Sequence, residues 1–119
     1  MRTVLLLFAA ALASAADTQW TLEKSTLTYH VSHPLHESEG VSRSAKGKAV
    51  CHAGQCDVLV AVPVKSFESG DTNRDLHMLQ ATKGSANPLI SVRTRIPEQA
   101  AGTVLADLDI EFAGQTAHY

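Results

Sequence analysis

The sequence predicts an all-β fold of antiparallel strands with one short helix. Three stretches carry that prediction. Thr26 to Val31 mixes β-branched, aromatic and polar residues in alternation, which suits a pleated, half-buried surface. Asp57 to Phe67 contains the apolar run Val58-Leu59-Val60-Ala61-Val62, the strongest strand in the chain. Val104 to Phe112 sets Val104, Ala106, Leu108 and Ile110 on one face against Leu105, Asp107, Asp109 and Glu111 on the other. That period of two belongs to a strand with one wet side.

The first sixteen residues read as an address. Arg2 supplies a positive start, Val4 to Leu12 is an unbroken apolar run, and Ala13-Ser14-Ala15-Ala16 offers small residues for a signal peptidase. Basic, apolar, small is the order of a secretory signal peptide. The run is too short for a membrane span, which needs ~20 residues. A buried first helix is the rival reading, and no amphipathic period supports it. Cleavage after Ala15 or Ala16 would start the mature chain near Asp17, and 17–119 is then one small domain. Its address is the periplasm or the exterior.

Charge narrows the function. The formal net charge is -2, and loss of Arg2 makes the mature chain more acidic. Nucleic-acid binding wants a basic face, and no polybasic segment suits anionic lipid. Cys51 and Cys56 are the only cysteines. In an oxidising compartment they should form a disulfide across a hairpin turned at Gly54. Closing so short a loop should stabilise by roughly 2 kcal/mol. A zinc site using His52 is the alternative, and it lacks a second Cys/His cluster.

The remaining elements follow in order. Trp20-Thr21-Leu22 is a short extended piece, and His33-Pro34 should disturb or end the strand before it. Ser38 to Val50 is more polar, with Gly40 and Gly47 marking bends. Pro63 argues for a bulge or an edge position. Gly70 breaks the strand. Thr72 and Asp75 resemble a capping box with Asp in place of Glu. Leu76 and Leu79 then share one face of the short helix. Pro88 to Ile96 returns to β, Gly114-Gln115 looks like a turn, and Thr116 to Tyr119 opens a last strand. About six strands are visible, whereas a small barrel with a ligand cavity usually has about eight. The chain therefore reads as a fragment or truncated product, an incomplete barrel whose C-terminal strands are missing; a small open barrel or sandwich is the alternative, and the open edge would suit a homodimer.

Specific stretches resemble the YceI family of periplasmic lipocalin-like proteins. They are Trp20 after the signal, Leu27-Thr28-Tyr29-His30-Val31-Ser32-His33, the glycine-containing strand Val41 to Val50, and Val58 to Val64. The most specific are Ser66-Phe67 with Thr72-Asn73-Arg74-Asp75-Leu76-His77-Met78. Asn87-Pro88-Leu89-Ile90-Ser91-Val92 and Leu105 to Gly114 resemble its next strands. The chain departs from the family in lacking the closing strands, in its cysteine pair, and in a weak glycine-led strand start at Gly40-Val41-Ser42. The resemblance implies an antiparallel barrel with an apolar tunnel that binds a polyisoprenoid or isoprenoid quinone, without a cofactor. Trp20, Tyr29, Phe67, Leu76, Met78, Leu79, Ile90 and Val92 are the apolar candidates for that tunnel. Asn73, Arg74, Asp75 and His77 are candidates for its polar mouth.

Other functions compete. A small hydrolase or isomerase would use His77 as a base oriented by Asp75. Residues two apart on a helix do not face each other, and no Gly-x-Ser-x-Gly motif accompanies them. A non-binding remnant is the third reading. His30, His33 and His36 invite a metal, but His30 and His33 should point to opposite sides of a strand. They are read as surface or loop histidines, and no metal ligand or catalytic residue is assigned.

Overall fold

The structure, a computed structural model, describes residues 17–98 and 102–119. The signal-like segment lies outside the described residues. Eight strands form: β1 (Thr18–Thr21), β2 (Leu27–His33), β3 (His36–Ser42), β4 (Lys46–His52), β5 (Gln55–Pro63), β6 (Leu89–Pro97), β7 (Asp109–Phe112) and β8 (Gln115–His118). One helix, α1 (Thr72–Ala81), follows a 3-10 turn at Val64–Ser66. The predicted class, antiparallel β with one helix, is the observed one.

The strands form two sheets. One runs β1-β4-β5-β6-β7-β8, and β2 and β3 form a separate hairpin. The described residues contain no closed ring of strands, and β1 and β8 are the edges of the large sheet. The hairpin joins the rest where Val41 and Glu68 exchange backbone hydrogen bonds of 2.9 and 3.0 Å.

Register divides the large sheet into two unlike faces. In antiparallel pairs, opposed residues share a face and alternate residues change face. Val60 opposes Gly47 and Val92, Val62 opposes Ile90, and Val92 opposes Ile110. Ala49, Val58 and Ile96 fall on that same apolar face. Lys48, Asp57, Arg93, Arg95, Asp109 and Glu111 fall on the other, with Leu59 among them. The consecutive apolar run of β5 is therefore split between faces.

Deep burial is concentrated at two places. At one end of β5 lie Val62, Val64 and Phe67 with the polar Ser42. The Ser42 hydroxyl is satisfied there. Ser66 Oγ donates to the Pro63 carbonyl at 2.6 Å, so Ser42 Oγ donates to Ser66 at 2.6 Å and accepts from Ser44 N at 3.2 Å. Such pairing removes most of the cost of burying a hydroxyl. At the other end Cys51 and Cys56 oppose each other, are joined by a disulfide, and are 2% and 5% exposed.

Several local expectations need correction. Ser38 to Val50 is two strands, broken at Arg43–Ala45. The register about Pro63 has no bulge. β4 pairs only as far as Ala61, so Pro63 meets Leu89 alone and its missing N–H leaves no gap in the ladder. The last tight turn is Ala113-Gly114, and Gln115 already opposes Phe112. A two-residue loop with both φ positive is a type I′ turn, whose twist matches the strands. β7 begins only at Asp109, although alternating exposure extends back to Val104. The helix is capped by Asp71, whose Oδ1 accepts from Arg74 N at 3.0 Å. Thr72 is already inside the first turn, and Asp75 faces Ser69 instead.

Candidate functional site: an apolar face ending in a cavity

The apolar face of the large sheet runs into a cavity where the hairpin, the 3-10 turn and α1 meet. β2 brings Tyr29 and Val31 to it from alternate positions of one strand face. The turn region brings Val64 and Phe67, α1 brings Met78, and Thr82 follows one helical turn later. Ile90 of β6 and Phe112 of β7 complete a wholly apolar wall around about 240 Å³. The Tyr29 and Phe67 rings lie 5.5 Å apart at 54°, an attractive tilted geometry. Gly40 opposes Tyr29, and a Cβ there would lie 2.2 Å from the Tyr29 ring. The absence of a side chain at Gly40 is what lets the ring lie flat over β3.

A second apolar depression of about 250 Å³ lies on the same sheet. Trp20, Leu22, Gly47, Ala49, Val58 and Val60 border it. Leu22 folds over Gly47, with its N–H donating to the Gly47 carbonyl at 2.9 Å. A further hollow, about 620 Å³, is a groove lined by Lys48, Asp57, Arg93, Arg95, Asp107 and Asp109. It lies on the charged face and is the wrong chemistry for an apolar ligand.

The residues picked from sequence are distributed as follows. Tyr29, Phe67, Met78 and Ile90 meet in the cavity. Trp20, 52% exposed, lies in the second depression. Val92 lies between Val60 and Ile110 on the apolar face. Leu79 packs over Gly84 beside the helix end. Leu76 is 50% exposed and lines neither hollow. Val31, Val64, Thr82 and Phe112 line the cavity without having been picked. Two of them had a signal in the sequence: Val31 follows Tyr29 at the strand period, and Thr82 follows Met78 at the helical i+4 spacing.

The polar candidates gather at the start of α1. Asp75 accepts from Ser69 N at 3.2 Å and from Ser69 Oγ at 2.6 Å. The Arg74 guanidinium donates to the Ser69 carbonyl at 3.4 Å and lies 3.8 Å from Asp71. Asn73 and His77 are exposed. Asp75 thus orients Ser69 rather than His77. The Arg74 N–H at the cap holds the Asp71 carboxyl below the usual range, against desolvation and with the Arg74 charge assisting. Burial pushes the Tyr29 hydroxyl up, the Asp75 charge adds to that, and Arg74 opposes it.

The three spaced histidines do not converge. His33 and His36 stack across the hairpin tip with centroids 5.1 Å apart, while His30 turns to the opposite face and meets Glu39 at 3.5 Å. Among the described residues, no three His, Cys, Asp or Glu side chains are placed to share a metal ion. No described helix is long and apolar enough to cross a membrane. No protein-family model matches the chain, and no curated protein matches it.

Proposed function

We propose that the protein is exported to the periplasm or beyond and holds the hydrocarbon tail of an isoprenoid-type lipid or quinone. The tail lies along the apolar face, and its end occupies the cavity around Tyr29, Phe67, Met78 and Ile90. The observation that carries this reading is a wall of eight residues presenting only apolar surface, continuous with a half-exposed apolar sheet face. Such a surface favours CH₂ groups by ~0.8 kcal/mol each and offers a charged head nothing. At about 240 Å³ the cavity is smaller than the ~300–1,000 Å³ of a typical ligand site, so it takes one end of a longer molecule. The rest of the tail lies toward Trp20.

The signal-like N-terminus and the Cys51–Cys56 disulfide support export. The resemblance to YceI proteins supports the isoprenoid class, and the open sheet is then a wall of a lipocalin-like barrel. We assign the polar head to Arg74 and His77, which are exposed on α1.

The test is extraction. Protein made in bacteria and purified without detergent should release a prenyl lipid or quinone in near-stoichiometric amount by mass spectrometry. Stripped protein should bind N-phenyl-1-naphthylamine, and farnesol should displace it. A well-folded preparation with an empty extract and no probe binding would end the proposal.

A further inference from the structure

Residues 69–87, which carry α1, are attached to the molecule unlike any strand. Among the described residues, the hydrogen bonds and ion pair of this segment close within it. At its start are the bonds of Ser69, Asp71, Arg74 and Asp75 described above. At its end Thr82 Oγ1 donates to the Met78 carbonyl at 2.8 Å, Gly84 N to Leu79 at 2.8 Å, and Asn87 N to Lys83 at 2.9 Å. Backbone pairing with the remainder resumes at the two flanks. Glu68 pairs with Val41, and Val64 N donates to the Pro88 carbonyl at 2.9 Å.

What the segment shares with the rest is mainly apolar contact, with Asn87 beside Gly114 and the Asp75 and Arg74 charges near Tyr29. Met78 and Thr82 form its side of the cavity against Tyr29, Phe67 and Ile90, and α1 itself has no buried residue. Gly70 sits between the Glu68 flank and the helix at φ +83°, with nothing within 4 Å of where a Cβ would be. Lys83, just past the helix, has φ +53°. Among the described residues, displacing this unit breaks none of the hydrogen bonds above; it uncovers the cavity side of Met78 and Thr82, lifts Asn87 from beside Gly114 and moves the Asp75 and Arg74 charges away from Tyr29. Units of low local stability are the ones that open first, and lids of this kind gate ligand sites.

We propose that residues 69–87 are a lid that swings as one body about Glu68 and Pro88 and admits the hydrocarbon to the cavity. This rests on the binding function proposed above, and it adds the route by which the tail gets in.

Amide hydrogen exchange on the full chain tests it, read residue by residue with and without saturating N-phenyl-1-naphthylamine. The α1 amides should share one opening rate, exchanging about thirty-fold or more faster than those of β5 and β6. The probe should slow α1 about tenfold and leave β5 unchanged. Exchange of α1 in step with β5 would overturn the lid, as would graded fraying from the helix ends without a common rate. Probe binding that leaves α1 exchange unaltered would overturn its role as a gate. If the probe fails to bind at all, the hydrocarbon function falls and the gate with it, whereas a common fast rate would still show one moving body.

Discussion

Ala53 and Ala113 occupy left-handed backbone at φ 52° in both cases, each as the first residue of a two-residue hairpin loop. That conformation costs an L-residue roughly 1–2 kcal/mol, and asparagine tolerates it better than alanine. Ala53→Asn and Ala113→Asn should each stabilise by about 0.5 kcal/mol, and the pair should raise Tm by a few degrees. A calorimetric Tm that stays put or falls would contradict the type I′ reading. Ionisation is legible at the same scale. Asp57 is held below the usual carboxylate range by its hydrogen bond from Arg95 (Nε to Oδ1, 2.8 Å), which outweighs desolvation and is assisted by the Arg95 charge; Asp71 is held low by the Arg74 N–H. A depressed folded pKa gives stability that is present above the unfolded value of 3.8 and is lost as pH falls through the lower folded one. Tyr29 runs the other way. Its folded value is raised, so its contribution is intact below pH 10 and fades as pH climbs through the folded value. Tyr29→Phe should flatten the alkaline limb of a Tm-against-pH curve and leave the acid limb alone. Parallel alkaline limbs in the two proteins would show the hydroxyl to be fully solvated.

The elements were legible from sequence where one local rule dominates. β2, β5 and β6 came from apolar or β-branched runs, and α1 from the leucine spacing after Gly70. Their limits were not legible, because limits depend on partners. β7 shrinks to Asp109–Phe112 although Val104 to Phe112 alternates throughout, since alternation records which side is wet and not whether a neighbour supplies the ladder. Indeed, Thr94 Oγ1 reaches the Asp107 carbonyl at 2.6 Å, and Leu108 and Tyr119 exchange backbone bonds of 2.8 and 2.9 Å, so pairing continues loosely past the strand. The cap moved from Thr72 to Asp71 because the Asp75 carboxylate had a nearer use at Ser69. The most sensitive joint between elements is Gly40 under Tyr29. Gly40→Ala would drive a methyl into the ring, tilting Tyr29 away from Phe67 and opening the cavity wall. Overpacking of that kind costs ~1–3 kcal/mol. Chemical denaturation should show that loss, with near-ultraviolet circular dichroism altered in the tyrosine region. A neutral result would mean that the ring does not lie over β3.

At the scale of the molecule, the sheet is a two-sided object, and only part of that could be read from the chain. Val60 and Val92 were visibly apolar, but which of Val58 to Val62 share a face follows from register alone. For the same reason Leu59, as greasy in sequence as Val60, belongs to the opposite surface. The cavity joins residues from Tyr29 to Phe112, so sequence could nominate members such as Phe67 and Met78 but not assemble them, and it included Leu76, which the helix turns outward. The neighbouring pair Leu59 and Val60 turns this into a test. Leu59 lies between Lys48 and Arg93 on the charged face, whereas Val60 lies between Gly47 and Val92 on the apolar one. Leu59→Glu places a carboxylate between two cations in water, where surface pairs are worth ~0–1 kcal/mol. It should leave N-phenyl-1-naphthylamine affinity within about twofold and Tm nearly unchanged. Val60→Glu puts the same charge where hydrocarbon should lie, and its desolvation is uncompensated. Probe affinity should then fall at least tenfold, ~1.4 kcal/mol. Val60→Ala, which adds no charge, should bind with an intermediate loss and guards against a folding failure of the glutamate variant. Equal affinities for Leu59→Glu and Val60→Glu would mean that the ligand does not lie on the apolar face.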